Sequence, residues 1–222
     1  MTVSAQPPRE TILRWLVVVI LSIAFGYIEA AVVVYLRGIF HPDGFYFPLP
    51  AFGLTDSIQR LLLIEVGREA ATLVVILSTC ILAGHNRRQR FAYFMTIFAV
   101  WDIFYYVWLK VLLDWPVSIM DWDILFLIPV PWAGPVLAPI LVSITMLVFA
   151  VLVLCRDCID KPVRATLFDW VGFCAAALVI VISFCIPGRH ISQPDYASYF
   201  SWVLFCAGLS AGVVLFARCF FR

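Results

Sequence analysis

Long apolar runs separated by short polar segments set the pattern of this chain. A membrane-spanning helix needs about 20 consecutive apolar residues. Six stretches meet or approach that length: 12–36, 61–83, 91–113, 136–155, 170–186 and 200–219. The fifth is the shortest and gains length from Asp169 and Pro187 at its interfaces. Helices are the expected element, because a lipid-exposed backbone must satisfy its hydrogen bonds internally. Arg9 and Arg14 precede the first run as in a signal peptide, but its apolar part continues from Trp15 to Leu36. That exceeds the roughly 7–15 residues of a signal-peptide core, so the run reads as an uncleaved first span. The pattern predicts an all-α fold, a polytopic bundle of six transmembrane helices forming a single membrane domain over residues 1–222.

The polar connections fix an expected orientation. With the N-terminus inside, the inner segments carry Arg9, Arg14, Arg87, Arg88, Arg90, Arg156, Lys161, Arg164, Arg218 and Arg222, against Arg37, Arg60 and Arg189 outside. Ten basic residues against three is a positive-inside signal, N-in and C-in. The inner connections are short and charged. Outside, segment 37–60 is aromatic and proline-rich, and 114–135 holds an apolar part, Ile124 to Trp132, too short to span. Pro129, Pro131, Pro135 and Pro139 interrupt any helix there. The segment is expected to lie in the interface or to re-enter the membrane, shielded by protein or lining a wet cavity.

Composition narrows the class further. The chain is 64% hydrophobic and 13% charged, where a soluble domain has about 45–50% apolar and 25% charged residues. Soluble enzymes and disordered chains are excluded. The formal charge of +1 leaves no basic patch for nucleic acid, and seven cysteines placed mostly in apolar runs do not form a secreted disulfide framework. The lipid bilayer is the expected partner.

Six ionisable residues fall inside the spans: Glu29, Glu65, Arg68, Glu69, Asp102 and Lys110. A charge at the bilayer centre costs about 2.5–3.5 kcal/mol on insertion scales, so these groups must meet one another, water or a ligand. At 3.6 residues per turn, Glu65, Arg68, Glu69, Thr72 and Thr79 share one arc of the second helix. Asp102, Tyr105, Tyr106 and Leu109 share a face of the third, with Lys110 at its edge. By rise per residue, Asp102 lies near the midplane and the others in the outer half. This predicts a pocket descending from the outer face, ringed by Tyr27, Tyr35, Trp101 and Trp108. Four carboxylates meet two cations there. Either two acids are protonated, or a cation binds, or Arg37 or Arg60 folds in. The alternative is an ion-pair network that only holds the first three helices together.

Other motifs weigh less. Gly208-Leu-Ser-Ala-Gly212 has the letters of a serine-hydrolase elbow, but that motif needs a strand–turn–helix and a histidine, so it reads as close helix packing. Cys155-Arg-Asp-Cys158 lacks the second pair a structural zinc would need. His41, His85 and His190 lie in loops, and no resident metal or cofactor is assigned; a carboxylate site would favour a hard ion. Asp114-Trp-Pro116 and Asp121-Trp-Asp123 are either a lid over the pocket or an interfacial aromatic belt.

The strings Gly26-Tyr-Ile-Glu-Ala30, Gly67-Arg-Glu-Ala-Ala-Thr72, Trp101-Asp-Ile-Phe-Tyr-Tyr106 and Ile128-Pro-Val-Pro-Trp-Ala-Gly-Pro135 resemble a family of uncharacterised bacterial multi-pass inner-membrane proteins, over about residues 15–140. The resemblance implies a bacterial inner membrane and carries over no activity and no functional residues.

Three functions fit the sequence. In the first, the protein binds or processes a lipid or other amphiphile with an anionic head group. Arg68 and Lys110 would hold that group, with Glu29, Trp101, Tyr105 and Tyr106 around it, and Glu65, Glu69 or Asp102 would act as general acid or base. In the second it is a proton- or cation-coupled transporter working as a single chain or as a homodimer, although its intramembrane charges are confined to three helices and no 3+3 repeat is evident. In the third it is a structural or accessory subunit.

Overall fold

The computed structural model describes residues 8–42, 44–49 and 56–222; the middle of the proline-rich segment 37–60 lies outside them. Six long helices follow one another: α1 (Pro8–Phe40), α2 (Asp56–Ala83), α3 (Arg87–Leu113), α4 (Leu137–Cys158), α5 (Leu167–Gly188) and α6 (Trp202–Phe220). Five of them are long and apolar enough to cross a membrane: α1, α3, α4, α5, and α6 with the 3-10 turn Tyr196–Tyr199 that leads into it. The chain is a multi-pass membrane protein. The remaining helix, α2, differs in carrying Arg60, Glu65, Arg68 and Glu69 in its first half. Large apolar side chains such as Leu63, Leu82, Val111, Val171 and Val203 stand exposed on the helices, as lipid requires and water would penalise.

Local chemistry sets the helix ends. Asn86 begins α3 by accepting the Gln89 N–H at 2.9 Å. Thr166 and Asp169 form a reciprocal capping box at α5, and Ser201 accepts the Leu204 N–H at α6. Asp114 ends α3 in the left-handed conformation (φ 54°).

The all-α expectation needs one correction. Segment 114–135 contains a small antiparallel hairpin, β1 (Trp122–Phe126) paired with β2 (Trp132–Pro135), with an irregularity between Ile124 and Phe126. Its prolines bar helix, and the backbone satisfies its polar groups in the alternative ladder.

The charged ends of all six helices come together. Arg14 of α1 donates to the Ala83 carbonyl ending α2 at 3.1 Å. Asp157 of α4 accepts from Asn86, Arg88 and Gln89 at the start of α3. Asp169 of α5 meets Arg222 at 2.9 Å and Arg218 at 3.8 Å. The Phe91 and Trp170 rings, 5.0 Å apart, tie the α3 end to α5. Above this end, Val18, Ile76, Tyr93, Ile97, Ala150 and Phe216 form one core, drawn from α1, α2, α3, α4 and α6.

A second core, around Ala138, Phe184, Phe200 and Phe205, joins α4, α5 and α6 to Trp122 and Trp132 of the hairpin. Gly188 belongs to that join. A Cβ there would lie 1.8 Å from the Pro131 carbonyl oxygen, so only glycine lets α5 meet the hairpin. Gly188→Ala is therefore expected to destabilise the protein by about 1–3 kcal/mol through overpacking, read as a lower thermal midpoint in detergent. Gly208 also serves packing, since its Cβ would sit 2.8 Å from Ile180 Cγ1 on α5. Gly212 does not, as nothing lies within 4 Å of it.

Helix α3 is the spine. Both α1 and α2 pack along it, and Gly26 lets α1 approach so closely that an added Cβ would be 3.0 Å from the Trp101 carbonyl oxygen. Among the described residues α1 and α2 scarcely touch each other. A cleft remains between them at the hairpin end.

Candidate functional site

That cleft opens a cavity of about 430 Å³ among α1, α2, α3 and the hairpin, within the roughly 300–1,000 Å³ range of small-molecule sites. Its walls are largely apolar: Val33, Leu36 and Phe40 from α1, Ile58, Leu61 and Leu62 from α2, and Ile124 to Leu127 from the hairpin. Its charged lining is Glu29, Arg37, Glu65, Arg68, Glu69, Asp102 and Asp123.

Each charge is placed by a helix face. Arg68 lies one turn from Glu65 on α2, and its Nε sits 2.9 and 3.0 Å from the two Glu65 oxygens. The same guanidinium reaches across to Glu29 of α1. Thr72, one turn further along, donates to Glu29 Oε1 at 2.9 Å. Glu29, Arg68 and Thr72 thus bridge α1 and α2 at the cavity end, where the two helices pack little against each other, and Glu29 is buried. Glu69 turns from its own helix to the hairpin and accepts the Leu127 N–H at 2.9 and 3.0 Å. Asp102 of α3 accepts the Ser143 hydroxyl of α4 at 2.8 Å.

The hairpin is held down at a second point. Asp123, 2% exposed, accepts from Arg37 of α1 at 3.0 Å and from the Tyr105 hydroxyl of α3 at 3.2 Å. Arg37 sits in a corner of two aromatic rings, its guanidinium carbon 4.0 Å from the Phe45 centroid and 3.8 Å from that of Trp115. Burial pushes the Asp123 carboxyl above its ordinary value, and the Arg37 charge opposes the shift. His41 is lowered, by burial first and then by Arg37.

Of the residues the sequence pointed to, Glu29, Glu65, Arg68, Glu69, Trp101, Asp102, Tyr105 and Tyr106 all line one space. Lys110 does not. It stands half-exposed at the end of α3 and pairs with Asp114 at 2.7 Å, because an i,i+4 carboxylate at the helix end is nearer than the cluster. Arg37 takes its place as the second cation, and Asp123 joins the acids. The two acidic-aromatic strings divide: Asp123 and Trp115 fasten Arg37, while Asp114 holds Lys110 and Asp121 accepts from the Val117 and Ser118 N–H groups.

Ser143 and the Leu127 N–H carried no signal in the sequence. The first is an ordinary polar residue on a helix whose only charges, Arg156 and Asp157, lie at its far end, and the second is backbone. Cys155 and Cys158 are free thiols at the far end.

The fold and cavity define a multi-pass helical membrane protein with a charged cavity at one end of its bundle. Comparison with known protein families, curated proteins and solved structures finds no match.

Proposed function

We propose that the protein spans a bacterial inner membrane six times, N-in and C-in, and binds the polar end of a lipid or other amphiphile in the outer cavity. The observation that carries this reading is the cleft between α1 and α2. Above the Glu29–Arg68–Thr72 bridge its walls are apolar side chains, among them Leu62, which also reaches the outer surface of the bundle. A chain lying in that cleft would leave its tail in lipid and its polar end among Glu65, Glu69 and Asp102. Those carboxylates are the groups a bound polar end would meet.

A continuous transport path has less support. Beyond the cavity, toward the basic end, the helices close on the apolar core of Ile76, Tyr93, Met95 and Ile97. A purely structural role accounts for the ion pairs but not for the apolar walls of the cleft between α1 and α2.

Filling the cleft tests the reading. Val33→Trp and Leu61→Trp are expected to abolish one-to-one retention of amphiphiles that survive purification, seen by native mass spectrometry. Retention of the same species by folded variants would count against the site.

A further inference from the structure

Resting on that reading, we propose that the cavity selects a positively charged head group, an amine or a quaternary ammonium, and not the anionic group that two free cations would have favoured.

Both arginines of the cavity are already engaged, Arg68 by Glu29 and Glu65 and Arg37 by Asp123. Lys110 is outside. Among the described residues the lining then holds five carboxylates against two guanidiniums. One of the five, Asp102, meets only the neutral Ser143 hydroxyl, while Glu69 accepts from the Leu127 and Ile128 N–H groups with the Arg68 charge close by. Buried carboxylates without a cation are costly to keep ionised, and an incoming cation lowers that cost while an anion raises it.

Tyr106 is 5% exposed and lines the cavity. Rings of Trp101, Tyr105 and Tyr106 on the same wall suit an ammonium, which is attracted to aromatic faces. The rim already binds a cation this way, in Arg37 beside Phe45 and Trp115. A metal ion is the weaker occupant: no group of three or more His, Cys, Asp or Glu among the described residues is placed to hold one. An organic cation needs no such cage, and an alkyl chain attached to it matches the apolar cleft.

The test uses the full-length protein in a neutral maltoside detergent and three single-chain probes of equal length: dodecyltrimethylammonium, dodecyl phosphate and dodecanol. Native mass spectrometry reads one-to-one binding to the wild type, to Asp102→Asn and to Glu69→Gln. The ammonium probe is expected to bind about tenfold or more tighter than the phosphate, roughly 1.4 kcal/mol. That preference should shrink in Asp102→Asn and Glu69→Gln, with the ammonium probe losing more affinity than dodecanol does. Equal binding of all three probes, a preference for phosphate, or a preference that survives both acid substitutions would overturn the head-group inference and leave the amphiphile site standing. Absence of one-to-one binding by any probe would overturn both. Should the acid variants fail to fold, the wild-type ranking of the three probes decides.

Discussion

Arg68→Met is expected to cost about 3–5 kcal/mol, the loss typical when one partner of a buried ion pair is removed. Arg68 is the only basic side chain within ion-pair reach of Glu29 among the described residues, and Glu29 is 5% exposed. Removing the guanidinium leaves two carboxylates, Glu29 and Glu65, facing the same space. It also breaks the bridge between α1 and α2, which lack the close packing that would otherwise hold them. A second change, Glu29→Gln, should restore most of the loss, since Thr72 can still donate to the amide oxygen and no charge remains buried. Thermal midpoints of the four proteins of this double-mutant cycle, measured in detergent, check the coupling. Additive losses would show that the pair does not join the helices.

Arg37→Met should be comparably damaging and should depend on pH. Asp123 is buried on the hairpin, and Arg37 is its ion-pair partner; Tyr105 donates the other hydrogen bond. Burial already holds the carboxyl above its ordinary value with Arg37 present, so the variant raises it further. An acid whose folded value exceeds its unfolded value favours the folded state while it is protonated, and that stability is lost as pH rises through the folded value. The deficit of the variant should therefore be small in acid and grow toward alkaline pH. Unfolding midpoints of variant and wild type across that range check the direction. A deficit that is constant, or that grows toward acid, would show that Asp123 is not the group left exposed to the loss. Asp123→Asn in the Arg37→Met background should remove the pH dependence.

Much of this architecture was legible in the order of residues. Long apolar runs cannot be anything but helices in lipid, and the basic segments expected inside do lie together at one end of the bundle through Arg14, Arg88 and Arg222. The faces of α2 and α3 were legible too, because 3.6-residue periodicity puts Glu65, Arg68 and Glu69 together, and Asp102 with Tyr105 and Tyr106. What periodicity cannot give is the partner across a helix boundary. Lys110 sat at the edge of the correct face, yet one extra turn brought Asp114 within reach and took it out of the site. Asp123 was visible as one acid of an Asp-Trp-Asp string, but only the hairpin register turns it inward while Asp121 stays with its own turn. The hairpin itself was hidden because its prolines announce an interrupted helix without saying what replaces it.

These corrections shift the chemistry of the cavity. With Lys110 in place the site was a plausible seat for an anion; with Arg37 and Asp123 in its stead it is an acidic pocket whose bases are already taken. On the proposed reading, its apolar cleft and its acidic lining would act together on one amphiphile.

The most direct measurement is a density map of the protein in a lipid nanodisc, at a resolution that distinguishes water from an alkyl chain. Our account expects elongated density in the cleft between α1 and α2, its tail passing Val33 and Leu61 and its head between Glu65, Glu69 and Asp102. A cleft closed by direct contact of α1 with α2, or a cavity holding only separate water peaks bonded to the acids, would contradict it.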